Sequence, residues 1–110
     1  MSQPDEDRTT TRARGYALRQ AQQYGAAAVL FAGAAARFPA DPALAFGLAQ
    51  TRYELGYPAA ELFARAQALA PGNLDITRNH ALALISEGRA DEARALLAAE
   101  LAQQIGRAHV

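Results

Sequence analysis

The sequence predicts an all-α fold, built as a stack of three antiparallel helix pairs. Three observations carry this expectation. Ala supplies 29 of the 110 residues, and Ala is the residue best suited to a helix interior. Pro and Gly punctuate the chain at regular intervals, at Pro39, Pro42, Gly56, Pro58, Pro71, Gly72 and Gly88. Between these breaks, apolar residues recur with helical period.

Six helices follow, at about 9–22, 24–37, 42–55, 58–69, 74–87 and 90–104. Residues 1–8 are polar and acidic and read as a disordered N-terminal tail. The caps agree with this division. Asp41 before Pro42 is an N-cap followed by a proline in the first turn, and Pro58 is expected to open the fourth helix in the same way. Gly56, Gly72 and Gly88 stand where a left-handed residue closes a helix. Asp91 and Glu92 fall in the first turn of the last helix, where the macrodipole favours anions. The linkers are short, so successive helices should run antiparallel.

One spacing repeats along the chain. Ala27 is followed by Phe31, Ala34 and Pro39, and Ala59 by Phe63, Ala66 and Pro71. At the same offsets Ala93 is followed by Leu97, Glu100 and Ile105. The first two offsets lie on one helical face. There, alanines let a neighbouring helix approach, and the Phe or Leu fills the space beside them. The proline then ends the helix and turns the chain into the next unit. One helix pair cannot bury its apolar face alone, whereas stacked pairs share a continuous core.

This pattern resembles the tetratricopeptide repeat, a helix–turn–helix unit. Ala27, Phe31, Ala34 and Pro39 match in the first unit, Ala59, Phe63, Ala66 and Pro71 in the second, and Gly88, Ala93 and Leu97 in the third. Gly15 with Leu18, Leu48-Ala49 with Tyr53, and Ala81 with Leu84 are partial versions of the first-helix motif. The family's Trp is absent, and the second unit is two residues short in its internal turn. The resemblance covers residues 9–104, as units of about 9–39, 42–71 and 74–104. It implies a right-handed superhelical stack, a TPR-like α-solenoid with its first helices on the concave side.

By that resemblance the groove would present Arg12, Tyr16 and Arg19 from the first unit. The second would add Phe46, Gln50, Tyr53 and Glu54, and the third Arg78, Asn79 and Leu82. Tyr and Arg are typical anchors of protein interfaces, although Phe46 and Tyr53 also suit packing between helices. The implied function is a non-catalytic scaffold that binds a peptide or protein surface. Some family members clamp an acidic chaperone tail, but here Tyr16 and Gly47 stand at the clamp's asparagine positions, and Asp75 and Asn79 replace its later basic residues. That partner is not expected.

Other chemistry is poorly provided for. All eleven basic residues are Arg and eleven acids balance them; nucleic acid and anionic membranes both demand a concentrated positive face. The basic cluster Arg12, Arg14 and Arg19 reads as a solvated helix face. The chain has no Cys, which removes thiolate nucleophiles and thiolate metal sites. His80 has Ala83 and Leu84 where a helical ligand pair would need a partner, so it reads as a packing histidine. No metal, cofactor or catalytic residue is expected. The N-terminus lacks the apolar core of a secretory signal and no stretch suits a membrane span, so a cytoplasmic location is expected.

The third unit follows the repeat to Gln104 and then departs from it. Residues 105–110, Ile-Gly-Arg-Ala-His-Val, are also what ATC GGA AGA GCA CAC GTC encodes, the in-frame start of a common sequencing adapter. They are expected to be a non-native tail, with Arg107 and His109 carrying no function and the native frame running on past Gln104. An Ala- and Arg-rich, Lys-free chain also points to a GC-rich coding sequence. Bacterial proteins with such repeats before a sulfotransferase or iron/2-oxoglutarate oxygenase domain are similar in style, and a small secretion chaperone is a further alternative. An uncapped last helix predicts self-association through Leu96, Leu97 and Leu101.

Overall fold

The computed structural model describes residues 4–108, with side chains from Asp7 onward. Residues 1–3 of the expected tail, and His109 and Val110, lie outside the described residues. Six helices follow one another: α1 (Pro4–Gln20), α2 (Tyr24–Arg37), α3 (Pro42–Glu54), α4 (Ala60–Leu69), α5 (Leu74–Ser86) and α6 (Ala90–Ala108). Each packs against its neighbour in sequence. In addition α1 touches α3 and α3 touches α5, whereas α2 and α4, and α4 and α6, do not meet among the described residues. The odd-numbered helices therefore form the tight inner side of a curved stack, and the even-numbered helices splay on the outside. The radius of gyration is 15.0 Å, above the roughly 13 Å of a compact domain of this length, as an open stack requires.

The alanine and phenylalanine signature positions lie in the core, whereas Pro39, Pro71, Gly88 and Leu97 are exposed. Ala27, Phe31, Ala59, Phe63, Ala66 and Ala93 are buried, and both phenylalanines are fully excluded from solvent. Phe31 lies against the backbones of Gly15 on α1 and Gly47 on α3. A Cβ at either glycine would stand 2.6 or 2.5 Å from its ring, so glycine is the side chain both positions require. Tyr16 meets the Phe31 ring edge-on at 5.2 Å. Phe63 instead sits among Ala49, Ala81, Ala83 and Leu84, with Phe46 and Tyr53 edge-on at 6.0 and 6.3 Å. Truncating either phenylalanine to Ala should cost about 3–5 kcal/mol.

Several expected boundaries move. Helix α1 begins at Pro4 rather than near residue 9. The added turn is held by tertiary ion pairs, Arg37 with Asp7 at 3.7 Å and Arg8 with the buried Asp41 at 3.3 Å. Pro58 does not open α4; Ala59 is its N-cap and has no capping side chain of its own. Glu87, at the end of α5, supplies the cap from a distance, accepting from the Ala59 and Ala60 N–H groups at 3.2 and 2.9 Å. Helix α6 continues through Ile105 to Ala108, past the point where the repeat pattern stops. Glu100, at the offset of Ala34 and Ala66, is buried and paired with Arg107 at 3.3 Å. Leu96 packs on the core rather than lying exposed with Leu97 and Leu101.

The caps at α3 follow expectation. Asp41 accepts from Ala43 and Leu44 at 2.9 and 3.1 Å, with Pro42 in the first turn. Gly56, Gly72 and Gly88 have φ of 87, 89 and 75°. The equivalent turn between α1 and α2 places Gln22 at φ 63°, a left-handed conformation that glycine adopts at lower cost.

Candidate functional site

The inner face is lined by α1, α3 and α5. Tyr16 is half-buried, and its hydroxyl donates to the Ala43 carbonyl at 3.0 Å, tying α1 to the start of α3. Burial raises its hydroxyl pKa, with the nearby Arg19 and Arg12 opposing and Asp41 reinforcing. Arg19 forms an ion pair with Glu54 across the α1–α3 gap. Glu54 also lies beside the Tyr24 hydroxyl, and its carboxylate raises the Tyr24 pKa. Arg19, Tyr24 and Glu54 thus close one edge of the face.

Two atoms on this face are left unanswered by the protein. Arg19 Nε and Gln50 Oε1 are buried without a hydrogen-bond partner. One is a donor and the other an acceptor, and buried polar atoms without partners are rare enough to require an explanation. Near the start of α3, a small cavity of about 190 Å³ is lined by Tyr16, Pro42, Ala43, Phe46, Ala70, Asn73 and Ile76. Tyr16 and Phe46 are among the residues the resemblance placed in the groove. Ala70, Asn73 and Ile76 are not, because they come from the α4–α5 turn and the first turn of α5.

The expected groove residues divide. Tyr16 and Phe46 line one cavity, and Arg19 and Glu54 are paired. Phe46 and Tyr53 are half-buried and lean on Phe63, so they serve helix packing as well. Arg12 is half-buried, with no acidic partner among the described residues. On α5, Arg78 turns back to Asp75 at 2.7 Å and Asn79 Nδ2 donates to the Asp75 carbonyl at 2.7 Å, so neither reaches α3. Leu82 is 51% exposed. Gly47 is buried under the Phe31 ring, so its place is explained by packing. His80 is half-buried, with Nδ1 at 2.6 Å from Gln67 Oε1, and burial lowers its pKa. Among the described residues no group of three or more His, Asp or Glu side chains could hold a metal ion. No described helix is long and apolar enough to cross a membrane.

Paired helices, glycine-ended turns and a curved inner face define a helix-pair repeat protein with the tetratricopeptide-like fold that the spacing predicted. Solved structures of MamA share it. A MamA point mutant matches with a TM-score of 0.77 and 24% identity, over 86% of this chain and 70% of that one. A second MamA point mutant gives 0.79 and 24%, over 90% and 56%. A MamA AMB-1 structure gives 0.79 and 23%, over 93% and 62%. The chain thus spans between 56 and 70% of the length of these MamA chains, and the likeness is one of fold. No protein-family model and no curated protein sequence matches the chain.

Proposed function

We propose that this chain is a non-catalytic scaffold that binds a peptide segment of a protein partner on the inner face of the stack. The observation that carries it is the pair of buried, unpartnered atoms, Arg19 Nε and Gln50 Oε1. A peptide backbone brings a carbonyl for the first and an N–H for the second. Tyr16 and Phe46 offer it an apolar foothold nearby, and Arg12 a cation. Tyr53, Asn79 and Leu82 would extend the contact toward α5.

Selection from a random peptide library displayed on phage tests this. Enriched peptides should lose about 10-fold in affinity to Gln50→Ala, the size of one buried hydrogen bond. Arg12→Glu should also weaken them. Absence of enrichment, or enriched peptides indifferent to both changes, would overturn the proposal.

One observation favours a second reading, in which this stack is the arm of a longer protein. Leu97 stands at the position of Phe31 and Phe63, yet it is 43% exposed where they are fully buried, beside Leu101 at 60%. A further helix pair would cover both, and a downstream domain would then set the activity. Sequencing the genomic locus past the Gln104 codon distinguishes the cases. A frame that continues into further repeats or an enzyme domain supports the arm; a stop after Val110 supports the free-standing scaffold.

A further inference from the structure

The outer face of the stack differs sharply between its two intervals. Between α2 and α4 a cavity of about 340 Å³ opens over α3, lined by Ala32, Ala35, Ala36, Leu48, Leu62 and Arg65 among others. Through Ala32 it joins a second hollow of about 420 Å³ beside Val29, Leu55 and Tyr57. Those three are 76, 40 and 56% exposed, a contiguous apolar surface of the kind that marks interaction sites. The hollow exists because α2 carries small side chains where it faces α4, so the splayed helices leave the α3 surface uncovered.

The next interval has the same backbone plan but carries polar side chains at the matching positions. Thirty-two residues on from Val29, Leu55 and Tyr57 stand Glu61, Glu87 and Arg89. These form an ion-pair cluster, with Arg89 Nη1 at 2.8 Å from Glu61 and 3.4 Å from Glu87. Ala35 and Leu48 correspond to Gln67 and His80, which are joined by a hydrogen bond between α4 and α5. The apolar register of the first interval is therefore not a demand of the repeat.

Two cations edge the open groove. Arg65 has no acidic partner among the described residues; its guanidinium donates to the Pro39 carbonyl at 3.3 Å. Arg52 lies over the Tyr57 ring at 5.7 Å, also without an acidic partner there. The hollow follows α2 from Ala28 to Ala36, about 12 Å at helical rise, and reaches Pro39 just beyond the helix end. That length suits a partner helix of two to three turns.

The geometry points to this outer groove as a second docking surface, for an acidic amphipathic helix of a protein partner. Its apolar stripe would lie on Ala32, Leu48 and Leu62, and its flanking carboxylates would meet Arg52 and Arg65. It is separate from the inner face, so either can fail alone.

The probe is a labelled 14-residue peptide with Leu at i, i+4 and i+7 and Glu on both flanks. Its control has Lys in place of Glu. The acidic peptide should bind at least 10-fold more tightly than the control, with an affinity that falls as salt rises. Ala32→Trp, which fills the groove, should weaken it at least 10-fold. Arg65→Glu, on an exposed side chain, should weaken it several-fold without disturbing the fold. Gln50→Ala on the inner face should leave it unchanged. Equal binding of the two peptides, or indifference to Ala32→Trp and Arg65→Glu, overturns the proposal. So does sensitivity to Gln50→Ala, which assigns the peptide to the inner face. Self-association in sedimentation experiments that Ala32→Trp abolishes would also overturn it, because a second copy is then the occupant.

Discussion

Phe31 and Phe63 occupy the same position in successive units, and both are fully buried. They reach that state differently. Phe31 is pressed between two glycine backbones on α1 and α3, so its site is formed by the absence of side chains. Phe63 is held by alanines and by two aromatic edges, so its site is formed by their presence. The outer faces differ in parallel, apolar and open over the first interval, polar and bonded over the second. A repeat thus dictates which residue is buried, while its neighbours choose the means and leave some surfaces free to vary.

The sharpest way to break this comparison is Gly47→Ala. Its methyl would meet the Phe31 ring, so a loss of about 2–3 kcal/mol is expected by denaturant titration. Phe31→Leu in the same chain should recover part of it. The corresponding position in the third unit is Asn79, which is partly exposed, and Asn79→Ala should cost under about 0.5 kcal/mol. Equal costs at the two positions would show that the glycine contact is not what distinguishes the intervals.

Glu87→Ala should cost about 1 kcal/mol, because it removes the acceptor that caps α4. Leu55, its equivalent one unit earlier, is partly exposed and caps nothing, so Leu55→Ala should cost less. A smaller effect of opposite sign is expected at the α1–α2 turn. Gln22→Gly should stabilise by about 0.5–1 kcal/mol, since glycine accepts the left-handed backbone more readily. Gly56→Ala and Gly88→Ala should destabilise by a similar amount.

The smallest effect is a pH dependence confined to the second interval. Burial lowers the His80 pKa in the fold below its ordinary 6.5. The unfolded chain therefore binds more protons between the two values, and stability rises with pH across that window. It should be flat above about pH 7 and fall on acidification through 6.5 toward the folded value. His80→Gln should remove this slope from the thermal midpoint, whereas Leu48→Gln, its first-interval counterpart, should leave it intact.

Much of the fold was legible because its signals are local. Asp41 before Pro42 and the glycines at 56, 72 and 88 each act within a helical turn, and the spacing from Ala27 to Pro39 lies within a single helix and its exit turn. For the inner face the resemblance implied Tyr16, Arg19 and Gln50, and the structure pairs Arg19 with Glu54 and bonds Tyr16 to the Ala43 carbonyl. Arg78 escaped that logic, because an acid three residues earlier captures its side chain. The start of α1 escaped it too, because Asp7 and Arg8 find their partners on Arg37 and Asp41, far along the chain.

Local signals sufficed for the six helices, the glycine turns and the buried alanines and phenylalanines of the first two units, because propensity, capping and periodicity are properties of neighbouring residues. Only the tertiary structure decided what stands opposite each position. It set Gly15 and Gly47 against one ring and brought Glu87 to the head of α4. It also left two polar atoms unanswered on the inner face and opened an apolar groove on the outer one. The physical reason is that α2 and α4 diverge as the stack curves, and the size of a gap depends on side chains from helices that no local pattern links.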